Sequence, residues 1–404
     1  MYDFKQLAFI KVPCLLIIGA FLYMIYAPLI MTDFSTQTVW SSTEKRRLAE
    51  RPALDLRPGT LVTFPSRFEA YFNDHFGYRN LFIRRYNRLM KKYFAKSPVP
   101  NVLIGKNNWL FYTFSNLIDD FVGADPFTQS ELEIWRSNLE HKRNWLAKRG
   151  IHYLFVVAPN KQTIYPEYLP DYLQKDRGQS RLQQLAAYLK THSDISILDL
   201  SGVLTEEKKR HRIYHLTDTH WNNRGAYAAY RAIMDRVVQW FPEASVRQNK
   251  IIETENIIPG AGGDLAGMLD MADTMQEERP VLKMQPTTCS PKIKQALADF
   301  WKISDAQTIR NTPLMTKCDT SKLRAVVFRD SFFEALIPFV SEDFNRIVYI
   351  WKPYDHAIMK ELIAQQKPQI VIEEMVERLL ILVRERSGRD DTIAADPTAA
   401  SMQH

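Results

Sequence analysis

Hydrophobic and polar positions along this chain fall into segments of different period, and the first is the longest. From Val12 to Met31 no charged residue occurs. At 1.5 Å per residue such a run makes a helix of about 30 Å, the thickness of a bilayer's hydrocarbon core. Lys5 and Lys11 precede it and Asp33 follows, which predicts residues 1–11 on the cytoplasmic side and the remainder outside. A cleaved signal peptide is the competing reading. The run is long for one, no small-x-small site follows it, and Cys14 lacks the small apolar neighbours of a lipoprotein site. Residues 12–31 therefore read as an uncleaved signal anchor. Residues 32–60, rich in Ser, Thr and Pro, suit a stalk.

Helical spacing returns around Asn80 to Phe94. Leu81, Phe82, Leu89, Met90 and Tyr93 form an apolar side, and Arg84, Arg85, Arg88, Lys91 and Lys92 a basic one. The ordinary reading is a solvated basic face; beside a membrane it would meet headgroups. Val102–Gly105 and Trp109–Tyr112 predict a β-hairpin across Lys106-Asn107-Asn108. A capping box at Thr128 and Glu131 starts a helix with Leu132, Trp135, Leu139 and Leu146 on one face, ending at Gly150.

Strand and helix then alternate: strand 153–158, helix 180–189, strand 195–200, and a long helix with Tyr227, Tyr230, Ile233, Met234, Val237 and Phe241 inward. A less regular stretch, about 242–324, precedes strand 325–328, helix 332–340, strand 346–351, helix 356–366 and strand 369–373. This order predicts an α/β domain with a mainly parallel sheet covered on both faces, with ligands beyond the C-terminal ends of its strands. Past Arg386 the chain turns small and polar, a composition that favours disorder. The expected organisation is a cytoplasmic N-terminus at 1–11, an anchor at 12–31, a stalk and N-terminal extension at 32–125, the α/β domain at 126–386 and a tail at 387–404.

At 404 residues, with 46% hydrophobic and 25% charged content, the chain has room for one large domain or two. Its net charge of +7 is modest and its cations are scattered, with one run at Lys45-Arg46-Arg47. No nucleic-acid signature is present, so the charge points to an anionic surface such as lipid headgroups or an acidic polymer. Of three cysteines, Cys14 lies in the apolar run. Cys289 and Cys318 remain in the exported part. Bridged in an oxidising compartment they would contribute about 3–4 kcal/mol; two unpaired buried thiols are the alternative.

The chemistry resides in two short motifs. In Asp218-Thr219-His220-Trp221 the carboxylate and the imidazole are two positions apart, so in extended backbone they share a side and Asp218 can hold His220 in one tautomer. Arg329-Asp330-Ser331-Phe332 follows the apolar run Ala325–Phe328 and precedes a predicted helix. A serine on a strand-to-helix turn exposes its Oγ beside helix N–H groups that can stabilise an oxyanion. Each motif also has a plain reading, Asp-Ser as a helix N-cap and His-Trp-Asn-Asn as a loop opening the next helix. His211, His215 and His220 have a spacing loosely suggestive of zinc, but His211 sits in the cationic run Lys208–Arg212, poor surroundings for a neutral ligand; no metal and no cofactor is expected. Trp221, Trp351 and Tyr354 could stack on sugar rings, although aromatics near strand ends are usually core. Pro259–Asp264 is rich in glycine but lacks the Lys-Ser/Thr of a nucleotide loop, and reads as a turn or a substrate-facing insertion.

The combination resembles the membrane-anchored SGNH hydrolase-like proteins of the alginate O-acetyltransferase group, the AlgJ/AlgX type. The residues carrying it are Arg47-Leu48-Ala49 with Pro52, Phe72–Arg79, Leu103–Lys106 before Trp109–Tyr112, Pro159-Asn160-Lys161 with Ile164-Tyr165-Pro166, Thr217–Asn222 and Arg329–Phe332. The resemblance implies an SGNH hydrolase-like three-layer α/β/α fold preceded by one transmembrane helix, on the outer side of a bacterial inner membrane. It implies transfer of acetyl groups to exopolysaccharide hydroxyls, with the donor supplied through a membrane-bound O-acyltransferase. Matched onto this chain, the nucleophile is Ser331, the base His220 and the orienter Asp218, in an order permuted relative to ordinary SGNH hydrolases. Arg329 departs from the pattern, standing where those enzymes carry glycine, and Asn160 is an oxyanion candidate by position. The same triad would also serve a polysaccharide deacetylase or esterase, and a non-catalytic, membrane-tethered polysaccharide-binding factor is a third possibility.

Overall fold

The structure, a computed structural model, describes residues 4–32, 40–41, 46–54, 57–94, 96–114, 116–242, 251–284, 290–293, 313–319 and 321–383. Two compact units are present: 1–98 with 267–271, and 99–266 with 272–404. The expected tail lies outside the described residues.

In the first unit the apolar run forms α1, Phe4–Ile30. Its window Pro13–Ile30 is long and apolar enough to cross a membrane, with a mean hydropathy of 2.1. Two short strands, β1 (Trp40–Ser41) and β2 (Arg46–Arg47), pair antiparallel. Helix α2 (Pro58–His75) opens on a proline, tolerated there because the first turn has no intrahelical use for its N–H. After a turn at Phe76–Tyr78, α3 (Arg79–Leu89) continues into a π-helical turn at Met90–Phe94. The orientation of α3 reverses the expectation. Asn87 is buried and donates from Nδ2 to the Leu269 carbonyl (2.8 Å), and Arg84 pairs with Asp270 (2.9 Å). Leu81, Phe82, Leu89 and Tyr93 are exposed.

The second unit begins with a hairpin of β3 (Val102–Ile104) and β4 (Leu110–Tyr112). Its turn takes left-handed φ at Asn107 (52°) and Asn108 (62°), a region asparagine tolerates better than most side chains. The main sheet has seven strands in the order β6-β5-β13-β11-β12-β10-β9. Strands β6 (Leu198–Asp199), β5 (His152–Ala158), β13 (Ile370–Val376), β11 (Arg324–Phe328) and β12 (Arg346–Ile350) run parallel. Strands β10 (Leu314–Lys317) and β9 (Ser290–Ile293) add antiparallel. The sheet is thus mixed, with its parallel part as predicted. Strand β13 is buried along its whole length, which is why the alternating pattern of a half-exposed strand is missing there.

Helices α5 (Gln129–Ala147), α8 (Arg181–His192), α10 (Asn223–Trp240) and α13 (His356–Gln366) match the predicted helices. Thr128 and Ser180 each complete a capping box. Three local expectations shift. The strand at 195–200 shrinks to Leu198–Asp199. Residues 332–340 are a 3-10 segment, Phe332–Leu336, followed by a short helix, Ile337–Val340; Pro338 has no N–H with which to continue an α-helix through that junction. The stretch treated as irregular holds an antiparallel ribbon, β7 (Ile251–Gly260) with β8 (Glu277–Met284). Its charged residues and Pro280 hide the period-2 pattern that marks a strand.

Ile372 sits in register with Leu154 on one side and Val327 on the other and is fully buried. Ile372→Ala is expected to cost about 2–5 kcal/mol, read as a lowered denaturant midpoint with an unchanged slope.

Candidate active site

Strand β11 ends on Phe328 and the chain turns through Arg329-Asp330-Ser331. Asp330 organises the turn: Oδ1 accepts from the Phe332 amide (2.8 Å) and Oδ2 from the Val376 amide at the end of β13 (2.7 Å). Ser331 makes no capping hydrogen bond, so the N-cap role belongs to its neighbour and its hydroxyl is left for another partner. That partner is His220, whose Nε2 lies 2.8 Å from Ser331 Oγ.

His220 reaches the serine because its segment is pinned at both ends. Tyr214 and Trp221 form a β-bridge, and the Asn222 amide donates to the Ile213 carbonyl (2.9 Å). The Asn222 side chain caps α10. Trp221 is 1% exposed, donates Nε1–H to the Phe332 carbonyl (3.0 Å) and meets the Phe332 ring edge-on at 5.1 Å. This corrects the expectation that Trp221 contacts sugar: it has no open face and instead locks the histidine segment to the serine turn.

Asp218 Oδ1 accepts from His220 Nδ1 (2.6 Å) and from the His220 amide (3.0 Å). Its Oδ2 accepts from the amide of Asp264 (3.0 Å). Its backbone carbonyl accepts from Lys161 Nζ (3.0 Å), which also binds the carbonyls of Leu110 (2.6 Å) and Leu216 (2.8 Å). Lys161 is buried over the rings of Trp109 and Phe111. Burial pulls its pKa down to about 7 against the nearby carboxylates of Asp218, Glu277 and Asp264. Only the ammonium form has three protons for three carbonyls.

The loop before helix Asp264–Met268 completes the setting. Asp264 accepts from the Thr219 amide (2.8 Å) and the Thr219 hydroxyl (2.6 Å). Gly263 passes so close that a Cβ there would lie 2.4 Å from that of Asp218. The Gly263 amide donates to Thr217 Oγ1 (2.9 Å), whose own hydroxyl donates to Glu277 (2.6 Å). The glycines of the Pro259–Asp264 stretch thus serve close approach to the acid.

The electrostatics follow. Burial favours the neutral form of Asp218, yet the His220 side chain and the amides of Asp264 and His220 outweigh it and hold the carboxyl well below its usual range. Burial also disfavours a charged His220, but Asp218, then Asp264, reverse this and raise its pKa above 6.5. Burial and the Asp218 charge raise the pKa of Asp264. Asp218, His220 and Asp264 are the group whose ligand atoms gather closely enough for a metal among the described residues. Both oxygens of each carboxylate already accept hydrogen bonds. His211 is exposed and His215 faces Glu277 at 3.8 Å; neither joins that group.

Asn160 is placed elsewhere. Its amide donates to Glu377 (2.8 Å), and it lines a small cavity with Leu117, Asp120, Gln162, Thr163 and Ser180 but with neither Ser331 nor His220. This corrects the oxyanion assignment to its backbone N–H, which is already committed. The Phe332 amide is taken too, by Asp330. Arg329, bulky where a glycine was expected, leaves the turn sideways to pair with Glu334 (2.7 Å) and stack on Trp351 at 4.3 Å. Tyr354 is buried against Phe328. Arg378, half-buried with its guanidinium 5.3 Å from the Phe332 ring centre, is a cation beside the site that no motif announced. Asp264 was equally missed, and its only sequence signal was the run of glycines before it. Cys318 is disulfide-bonded; Cys289, its expected partner, lies outside the described residues.

Residues 102–302 match the family model described as the SGNH hydrolase-like domain of acetyltransferase AlgX. The chain is 24% identical over 360 residues to the probable alginate O-acetylase AlgJ of Pseudomonas aeruginosa, covering 81% of this chain and 86% of that one. It is 28% identical over 177 residues to the probable alginate O-acetylase AlgJ of Pseudomonas putida, covering 43% of each. Among solved structures, the O-acetyltransferase domain of Pseudomonas putida AlgJ is similar with a TM-score of 0.43 at 18% identity, covering 75% of this chain and 99% of that one. Bacillus cereus PatB1 with a sulfonyl adduct is similar with a TM-score of 0.47 at 14% identity, covering 73% and 97%. The matched family segment ends before Ser331; it is the tertiary structure that carries the serine to His220.

Asp218→Asn is expected to lower the His220 pKa, and Asp264→Asn to lower it by less, as read by NMR of labelled imidazole. Because the folded value is raised, the stability that His220 contributes is present at acid pH and lost as pH rises through that value.

Proposed function

Because this chain carries an SGNH hydrolase-like domain of the AlgJ/AlgX type, we propose that it is an O-acetyltransferase acting on hydroxyls of an exported polysaccharide through an acetyl-serine intermediate. The observation that carries the reading is the continuous relay from Asp218 to His220 Nδ1 and from His220 Nε2 to Ser331 Oγ, at 2.6 and 2.8 Å. This is the geometry that nucleophile, base and orienter require.

In the first half-reaction Ser331 Oγ attacks the acetyl carbonyl of the donor while His220 Nε2 takes its proton. The tetrahedral adduct collapses, the donor's leaving group departs with that proton, and the acetyl group stays on Ser331. A sugar hydroxyl then attacks the ester, again losing its proton to His220. Collapse returns the proton to Ser331 and releases the acetylated sugar. Asp218 stabilises the imidazolium in both halves. Arg378 supplies positive charge beside the serine turn for the oxyanion. The raised pKa of His220 sets the acid limb: activity rises with pH as the imidazole loses its proton.

The resident membrane follows from α1. As a single-pass anchor it would hold the catalytic unit on the periplasmic side of a bacterial inner membrane, where a membrane-bound O-acyltransferase would deliver acetyl groups.

The test uses the purified full-length chain in detergent, a chromogenic acetyl ester as donor and an oligosaccharide acceptor read by mass. Wild type is expected to yield acetylated sugar. Ser331→Ala and His220→Ala each lower kcat by about 10⁴-fold or more, and the triple variant with Asp218→Ala is little worse, since the three act as a unit. Acetate release without acetylated sugar would instead mark an esterase. Full activity in Ser331→Ala would refute both enzyme readings.

A further inference from the structure

We propose that the outward face of α3 and of its π-helical continuation lies in the outer-leaflet interface of the membrane, against phospholipid. The inference rests on α1 being a transmembrane anchor.

The first support is where the α2–α3 turn sits. The Gly77 amide donates to the Pro28 carbonyl (3.0 Å) and to Thr32 Oγ1 (3.0 Å), both at the C-terminal end of α1. The approach leaves no room for a side chain: a Cβ on Gly77 would lie 2.6 Å from the Met31 backbone. Tyr78 hydrogen-bonds Tyr23, seven residues before the end of α1, which is about 10 Å along a helix. The turn is therefore clamped at the depth of the last turns of the apolar run, at the boundary between acyl chains and headgroups.

The second is the inverted amphipathy of α3. Its inward side carries polar groups, Asn87 on Leu269 and Arg84 on Asp270. Its outward side carries Leu81, Phe82, Tyr86, Leu89, Tyr93 and Phe94, each between 45% and 66% exposed. A helix that turns polar groups in and large apolar groups out is built for a solvent other than water. Arg85 and Lys92 are exposed on the same side, long enough to lay their stems on the apolar surface and reach headgroup phosphates. Tyrosines at 78, 86 and 93 repeat the aromatic preference for the interface. A protein partner would cover such a face as well. Lipid is favoured because the face is continuous, through Gly77 and Tyr78, with the helix that spans the bilayer.

The experiment places single cysteines for spin labelling in the full-length chain with Cys14→Ser, reconstituted in phosphatidylethanolamine–phosphatidylglycerol vesicles. The sites are Ile18→Cys in α1, Leu89→Cys and Tyr93→Cys on the proposed face, and Lys190→Cys as an aqueous reference. Collisions with oxygen, which partitions into lipid, are compared with those of a water-soluble nickel chelate. Oxygen is expected to dominate at 18, 89 and 93, and nickel at 190. Oxygen dominance at 18 with nickel dominance at 89 and 93 would leave the anchor standing and overturn the proposal. Low collision with both reagents at 89 and 93 would also overturn it, in favour of a covering protein. Nickel dominance at 18 would remove the anchor reading and the proposal with it.

Discussion

The buried ammonium of Lys161 is the point on which the catalytic loop hangs. A charge out of water is costly unless its hydrogen bonds are complete, and this one completes them with three backbone carbonyls. Leu110 belongs to the hairpin, Leu216 to the segment before the acid, and Asp218 is the acid itself. One cation therefore fixes the distance between a peripheral hairpin and the catalytic loop. The Leu110 amide repeats the link by donating to the Leu216 carbonyl (3.0 Å). An apolar residue at this position would leave three buried carbonyls without donors, each at the cost of its lost hydration.

The acid is then enclosed from its other side. Gly263 and Asp264 supply two backbone amides, one to Thr217 and one to Asp218, while the Asp264 carboxylate takes both polar groups of Thr219. Two carboxylates so close raise the cost of charge on either, and the histidine between them offsets it. The serine turn is stabilised independently. Asp330 bridges to the end of β13, and burial together with the Asp330 charge raises Glu374 far above the usual carboxylate range, so its proton can fill the gap between them. The reacting atoms are thus held by two separately braced loops that meet across the His220–Ser331 hydrogen bond.

Most of the scaffold was legible along the chain. The capped starts of α5 and α8, the long face of α10 and the apolar strands β5, β11 and β12 obey local rules of capping and periodicity, which tertiary context only reinforces. The hairpin turn was legible because two asparagines are among the few residues that accept left-handed φ. Less legible were β7 and β8, whose charged residues break the alternating pattern, and α3, where the amphipathic pattern was plain but its direction was not. Periodicity shows that a helix has two faces; it does not say which solvent each one meets.

The sequence by itself determined the apolar anchor run, the α/β order of elements, and the residue types of the triad with the Asp218–His220 spacing. These depend on short-range geometry: a helix rise, a strand period and a two-residue offset. Only the tertiary structure decided that Ser331, more than a hundred residues later, lies within hydrogen-bond reach of His220 Nε2, that Asp330 and not Ser331 caps its turn, and that Asp264 closes over the acid. It also moved Trp221 from a sugar-facing position into the packing and committed Asn160 to Glu377. Each of these is a meeting of side chains or amides from distant segments, set by how the sheet orders its strands and where its loops cross. No local pattern of the chain encodes such distances.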